Sequence, residues 1–148
     1  MIRPLVLFLA VVLSACRFGF AENRACPVSA EKQAMTEADM FRSWDALYKS
    51  YTLYQKCDDG AIAEGYSESV ARVLADHWDT LPQLAELAKK DPKFLRFVLR
   101  HVDATDDDKD LQKIKTEAKA QCPTGLRTIC DDLGKEADSA LKEAASFR

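Results

Sequence analysis

The chain has 148 residues, a formal charge of −3, and 47% apolar and 9% aromatic side chains. That is enough apolar matter for one core, while its basic residues are too few and too scattered for a nucleic-acid surface. With only five glycines and no window that alternates β-branched with polar residues, the sequence argues against a sheet and predicts an all-α domain.

At the amino terminus one cation, Arg3, precedes the apolar run from Pro4 to Val12, which is followed by Leu13-Ser14-Ala15-Cys16. Spanning a bilayer takes roughly 20 apolar residues, so residues 1–21 read as an export signal rather than an anchor. Two endings compete. Leu13-Ser14-Ala15-Cys16 resembles a bacterial lipoprotein box, which gives a leader 1–15 and a lipid on Cys16. Gly19-Phe20-Ala21 suits a general signal peptidase and gives a soluble chain from Glu22. In either case Cys16 stands outside the fold, and the periplasm is the expected compartment. Membrane contact is expected only through a lipid on Cys16. Arg17, in place of the aspartate that retains lipoproteins in the inner membrane, points such a lipoprotein to the outer membrane.

Export fixes the reading of the other cysteines. Cys26, Cys57, Cys122 and Cys130 are expected as two disulfides, with all three pairings open. Cys122 and Cys130, with Pro123 and Gly125 between them, are placed to close a local loop. Cys57 is alternatively placed to staple its helix to the carboxy-terminal one. No Cys-x-x-Cys knuckle is present, so a metal centre is not expected.

Residues 22–34 form a polar lead-in, and 35–148 a single helical domain. From Met35 the pattern turns helical, with Phe41, Trp44, Leu47, Tyr48, Tyr51 and Tyr54 along one stripe. That stripe is core or, if partly exposed, a homodimer face. Gly60 supplies a left-handed stop, residues 61–66 a short helical turn, and Ser67 the cap of a helix carrying Val70, Val73, Leu74, His77 and Trp78 inward. Thr80, Pro82 and Gln83 form a start signal with a capping box, and Asp91-Pro92 opens a further helix with Phe94, Phe97, Val98 and His101 inward. An Asp-rich stretch, 103–110, leads into Leu111, Ile114 and Ala118, and the last helix carries Leu126, Ile129, Leu133, Ala137 and Leu141. The expected architecture is a compact single-domain bundle of about five to seven short helices braced by two disulfides.

Catalytic signals are weak. His77 and His101 both read as packed side chains, and Ser67 in Gly65-Tyr66-Ser67-Glu68-Ser69 lacks the second glycine of a nucleophile elbow. No enzyme activity and no cofactor are expected. Asp106, Asp108, Asp110 and Glu117 fall at calcium-loop spacing, yet Leu111 stands where that loop needs glycine, and the helical period runs straight through it. The acidic stretches instead suit a partner of opposite charge. Asp58, Asp59 and Glu64 in one corner, and Asp106, Asp107 and Asp108 in the other, are the candidate partner-binding residues.

The stretch Cys57-Asp58-Asp59-Gly60-Ala61-Ile62-Ala63-Glu64-Gly65-Tyr66-Ser67, with Val70-Ala71-Arg72-Val73-Leu74 and Trp78 after it, resembles small exported all-helical proteins of Gram-negative bacteria. So do Phe97-Val98-Leu99-Arg100-His101-Val102-Asp103 and Cys122-Pro123 ahead of Leu126 and Cys130. The broader type resembled is the periplasmic immunity protein of type VI secretion amidase effectors. That resemblance implies a helical, often dimeric protein that plugs the groove of a peptidoglycan-cleaving cysteine peptidase. No inhibitory residue carries over by position, so the site candidates rest on the acidic loops alone. Two other classes stay open: a structural envelope lipoprotein, and a carrier of a small ligand or metal.

Overall fold

A computed structural model of the chain describes residues 26–147. The expected signal 1–21, both of its alternative endings and the lipidation candidate Cys16 lie outside the described residues. Among those described there are seven α-helices and no strand: α1 Val28–Glu37, α2 Trp44–Tyr54, α3 Gly60–Asp76, α4 Leu81–Lys90, α5 Pro92–Arg100, α6 Asp108–Ala120 and α7 Arg127–Ser146, with a 3-10 turn at Trp78–Thr80 before α4. None of these helices is long and apolar enough to cross a membrane.

The core is one cluster that every helix feeds. Trp44 and Leu47 of α2, Tyr66, Val70 and Leu74 of α3, Leu81 and Leu84 of α4, and Phe94 and Phe97 of α5 are all buried to 2% exposure or less. Leu111 and Ile114 of α6 and Leu133 of α7 close it from the other side. Each such side chain contributes roughly 1.5–3 kcal/mol relative to exposure. The aromatic stripe of α2 is spent here: Tyr51 packs its ring 5.3 Å from Phe94 and 5.0 Å from Phe97, and Phe97 in turn meets Tyr66 at 5.1 Å. The two tryptophans also carry polar ties. Trp44 Nε1 donates to Thr80 Oγ1 at 2.9 Å, and Trp78 Nε1 donates to the Gln121 carbonyl at 3.0 Å.

Helices α6 and α7 form an antiparallel hairpin. Lys115 Nζ reaches Asp138 at 2.6 Å, a Cβ on Gly134 would stand 3.3 Å from that of Ala118, and Cys122 is bonded to Cys130. That last bridge is the local closure the spacing suggested. The other joins Cys26 to Cys57, with Cα atoms 4.7 Å apart, so Cys57 ties the lead-in to the α2–α3 corner and not to the last helix. In the loop-entropy picture the two bridges contribute roughly 3–4 and roughly 2–3 kcal/mol, the longer loop more.

Several local expectations change. The lead-in is helical over Val28–Glu37, because its weakly apolar face is held by tertiary contacts and not by its own pattern. Ser69 Oγ donates to the Ala38 carbonyl at 2.6 Å and accepts from Phe41 N at 3.1 Å, which pins the break between α1 and α2. Helix α3 starts at Gly60, not Ser67. Asp59 caps it by accepting from Gly60 N at 2.8 Å, while Gly60 itself has φ +51°, the left-handed geometry expected of it. Gly65 lies inside that helix, where a Cβ would stand 2.8 Å from the Cβ of Ala38. The absent side chain is what lets α1 sit down on α3. Thr80 precedes α4, but its hydroxyl donates to the His77 carbonyl at 2.6 Å instead of capping the helix. His77, placed inward from its spacing, is exposed, because α3 ends at Asp76. Asp91 caps α5 as read, accepting from Lys93 N at 2.9 Å.

Candidate functional site

Where α1 ends, α3 passes and the 103–107 turn enters α6, the surface opens into a cleft of about 670 Å³. Its walls carry Asp39 from the end of α1, Glu64 and Glu68 from α3, Asp106 and Asp107 from the turn, and Asp110 from α6. Arg72 is the single cation in this lining. It is already engaged, pairing with Glu68 one turn back and donating to the Asp39 carbonyl at 2.9 Å. Met35, Ala61, Gly65 and Ala71 supply small or apolar wall between the carboxylates. The groove exists because Gly65 and Ser69 fix α1 against α3, and because Asp107 starts α6 at this level by accepting from Lys109 N at 2.7 Å.

Asp106 is the unusual member. It is 8% exposed although it lines the cleft. Its Oδ2 accepts from Asp103 N at 3.1 Å, while its buried Oδ1 has no hydrogen-bond partner. Burial pushes its carboxyl up to about 7, and the neighbouring charges of Asp103, Asp110 and Glu68 push the same way. Asp110 is also raised, first by burial and then by Asp76 and Asp107. The groove thus presents a field of crowded carboxylates, with Arg72 committed to Glu68 and only Arg72 and Lys113 easing the charge on Asp110.

A second polar cluster lies inside the protein beside the first half of α3, joined to the groove through Asp103. Ser67 Oγ is 3.0 Å from His101 Nδ1, and His101 Nε2 is hydrogen-bonded to Asp58 Oδ2 at 3.2 Å. The order Ser, His, Asp resembles a hydrolytic triad, but the hydrogen bonding runs otherwise. Ser67 donates its proton to Asp103 Oδ2 at 2.7 Å, so its oxygen has only lone pairs to offer the imidazole. His101 is thus held between Ser67 on one ring nitrogen and Asp58 on the other. Ser67 and His101 are 1% and 2% exposed. A hydroxyl turned to a carboxylate and closed to solvent is a poor nucleophile. As a brace, the cluster links the α2–α3 corner, α3, the end of α5 and the following turn.

The six acidic candidates separate accordingly. Glu64, Asp106 and Asp107 come together in the groove. Asp58 is 3% exposed and engaged by His101 and Arg100, so its carboxylate serves the interior and not a partner. Asp59 is an exposed helix cap. Asp108 stands on the first turn of α6, facing the shallow depression between α6 and α7. Sequence reasoning missed Asp39, Glu68 and the role of Arg72, and had Asp110 only as part of the Asp-rich stretch 103–110. A helical net would have put Glu64 and Glu68 on one face of α3, but only if α3 began at Gly60. Among the described residues no group of three or more His, Cys, Asp or Glu is arranged to hold a metal ion. No family model, no curated protein and no solved structure matches the chain.

Proposed function

We propose that this is an exported, non-catalytic binding protein that neutralises a partner enzyme by docking a basic segment of it into the acidic groove. The observation that carries the reading is the groove: six carboxylates against one guanidinium that is already tied to its own wall. Uncompensated charge of one sign in a concave site speeds encounter with a partner of the other sign and selects against like-charged ones. Two disulfides suit an oxidising compartment, and Cys26–Cys57 restrains α1, one wall of the groove, so less ordering entropy is lost on docking. The resemblance to immunity proteins of amidase effectors supplies the partner class, a peptidoglycan-cleaving enzyme of the cell envelope, with occlusion of its cleft as the mode of inhibition.

The test is an inhibition titration. The oxidised protein is added to any peptidoglycan-cleaving enzyme found encoded beside its gene, and release of soluble fragments from purified sacculi is followed. Activity should fall stoichiometrically and return when Glu64→Lys and Glu68→Lys are combined in the binding protein. Undiminished hydrolysis at saturating excess overturns the proposal.

A further inference from the structure

The geometry points to Asp106 as the floor of a socket for one cationic side chain, a lysine ammonium or an arginine N–H of a bound polypeptide. This inference deepens the reading of the groove as a docking surface and rests on it.

Acidity alone would not single out a position. Asp106 does so because it is more than nine-tenths buried, lines the cleft, and leaves Oδ1 without a hydrogen-bond partner while Oδ2 is taken by Asp103 N. A buried acceptor left unmatched is costly in a folded protein and unusual enough to need a reason. With Oδ2 already accepting from Asp103 N, Oδ1 is the oxygen left to accept an incoming N–H. A divalent cation would need several converging oxygens, and the described residues offer no such group. The walls suit the rest of a long basic side chain: Met35, Ala61 and Ala71 can cover its methylenes, with Gly65 leaving room between them. Oδ1 itself is covered, so an incoming group reaches it only by displacing what covers it.

The charged groups facing Asp106 come from every neighbouring element. They are Asp39 at the end of α1, Glu64, Glu68 and Arg72 on α3, Asp103 and Asp107 in the turn, and Asp110 on α6. All but Arg72 favour a cation. Seating one beside Asp106 ionises its carboxyl, and the proton it held near neutral pH leaves to solvent. Binding and proton release are therefore coupled at this residue.

The experiment is calorimetric titration of the full oxidised chain with hexalysine at low ionic strength. At pH 8 Asp106→Asn should weaken binding at least about tenfold, whereas Asp131→Asn, an exposed acid on α7, should change it less than about twofold. At pH 6.5 the heat of binding to the unaltered chain should vary with the ionisation enthalpy of the buffer, revealing a released proton, and Asp106→Asn should abolish that variation. Equal hexalysine binding by the unaltered and Asp106→Asn chains, with no proton released, overturns the socket. If in that case Glu64→Lys with Glu68→Lys still abolishes binding, the groove docks basic chains and only the role of Asp106 fails. A calcium-dependent melting shift that Asp106→Asn removes, with hexalysine indifferent to the substitution, also overturns the socket, since the oxygen would then serve a metal.

Discussion

Asp58 Oδ1 lies 3.1 Å from Nε2 of His101, with each side chain 3% exposed. Forty-three residues separate them in sequence, and together they fasten the corner after α2 to the end of α5. Burial alone would raise the Asp58 carboxyl, but His101 and Arg100 outweigh it and hold the group below the ordinary carboxylate value. Asp103, on the other side of the imidazole, is likewise lowered against its own burial, by bonds from Thr105 and Ser67 and by the charge of His101.

Removing one partner of this buried pair strands the other. Asp58→Ala should cost about 3–5 kcal/mol in urea unfolding at pH 7. Arg100→Ala, at a side chain 63% exposed, should cost under about 1 kcal/mol. Since the folded value of Asp58 is depressed, its contribution is fully present above the ordinary value of 3.8 and is lost as pH falls through the folded value. The gap between the unaltered chain and Asp58→Asn should therefore narrow only in strong acid. A gap constant down to pH 2 would contradict the ion-paired assignment.

Asp106 behaves in the opposite sense. Its folded value is raised from 3.8 to about 7, so between those values the native state keeps a proton that the unfolded chain has lost. Stability then declines as pH rises from about 4 to about 7 and is level above, with a ceiling of about 4 kcal/mol. Asp106→Asn keeps an acceptor for Asp103 N and cannot ionise. It should raise the melting temperature at pH 8 and leave it nearly unchanged at pH 4, as read by circular dichroism.

Gly65→Ala sets helix propensity against packing. Alanine is favoured over glycine in a helix interior by about 1 kcal/mol. Here its Cβ would meet Ala38 Cβ at 2.8 Å and Asp39 N at 3.1 Å, and the latter is backbone that cannot swing away. The net effect should be destabilising by about 1–3 kcal/mol, with hexalysine binding weakened as α1 lifts from the groove. A more stable variant that still binds would refute the close-approach role.

Double replacement of Cys26 and Cys57 by serine should cost roughly 3–4 kcal/mol, and of Cys122 and Cys130 roughly 2–3, by chemical denaturation. Only the first should disturb the groove, because only it restrains α1.

The fold was largely legible because burial follows period: Leu111, Ile114 and Ala118, or Phe94, Phe97 and Val98, fall on one helical face and are buried there. Capping chemistry also spoke plainly at Asp91. What sequence concealed depends on contacts between distant segments. Helix α1 buries only Ala34 fully and has no side-chain cap at Pro27, so nothing local announces it. Gly60 and Gly65 read as breakers, and the true start of α3 was lost with them. Asp106 is one aspartate in a run of similar ones, and its burial comes from the turn folding over it. The groove likewise draws its carboxylates from three separate stretches of chain.

The Cys26–Cys57 bond anchors the start of the helix whose other end, with Met35 and Asp39, forms one side of the cleft. While thiols stay reduced, that side keeps the Gly65 contact, the Ser69 hydrogen bonds, the Arg72 bond to the Asp39 carbonyl and the buried Ala34 and Ala38, but its start is untied. If the groove takes a cationic partner as proposed, oxidation is the step that completes its wall, and a chain that has not yet met an oxidant carries a half-built one.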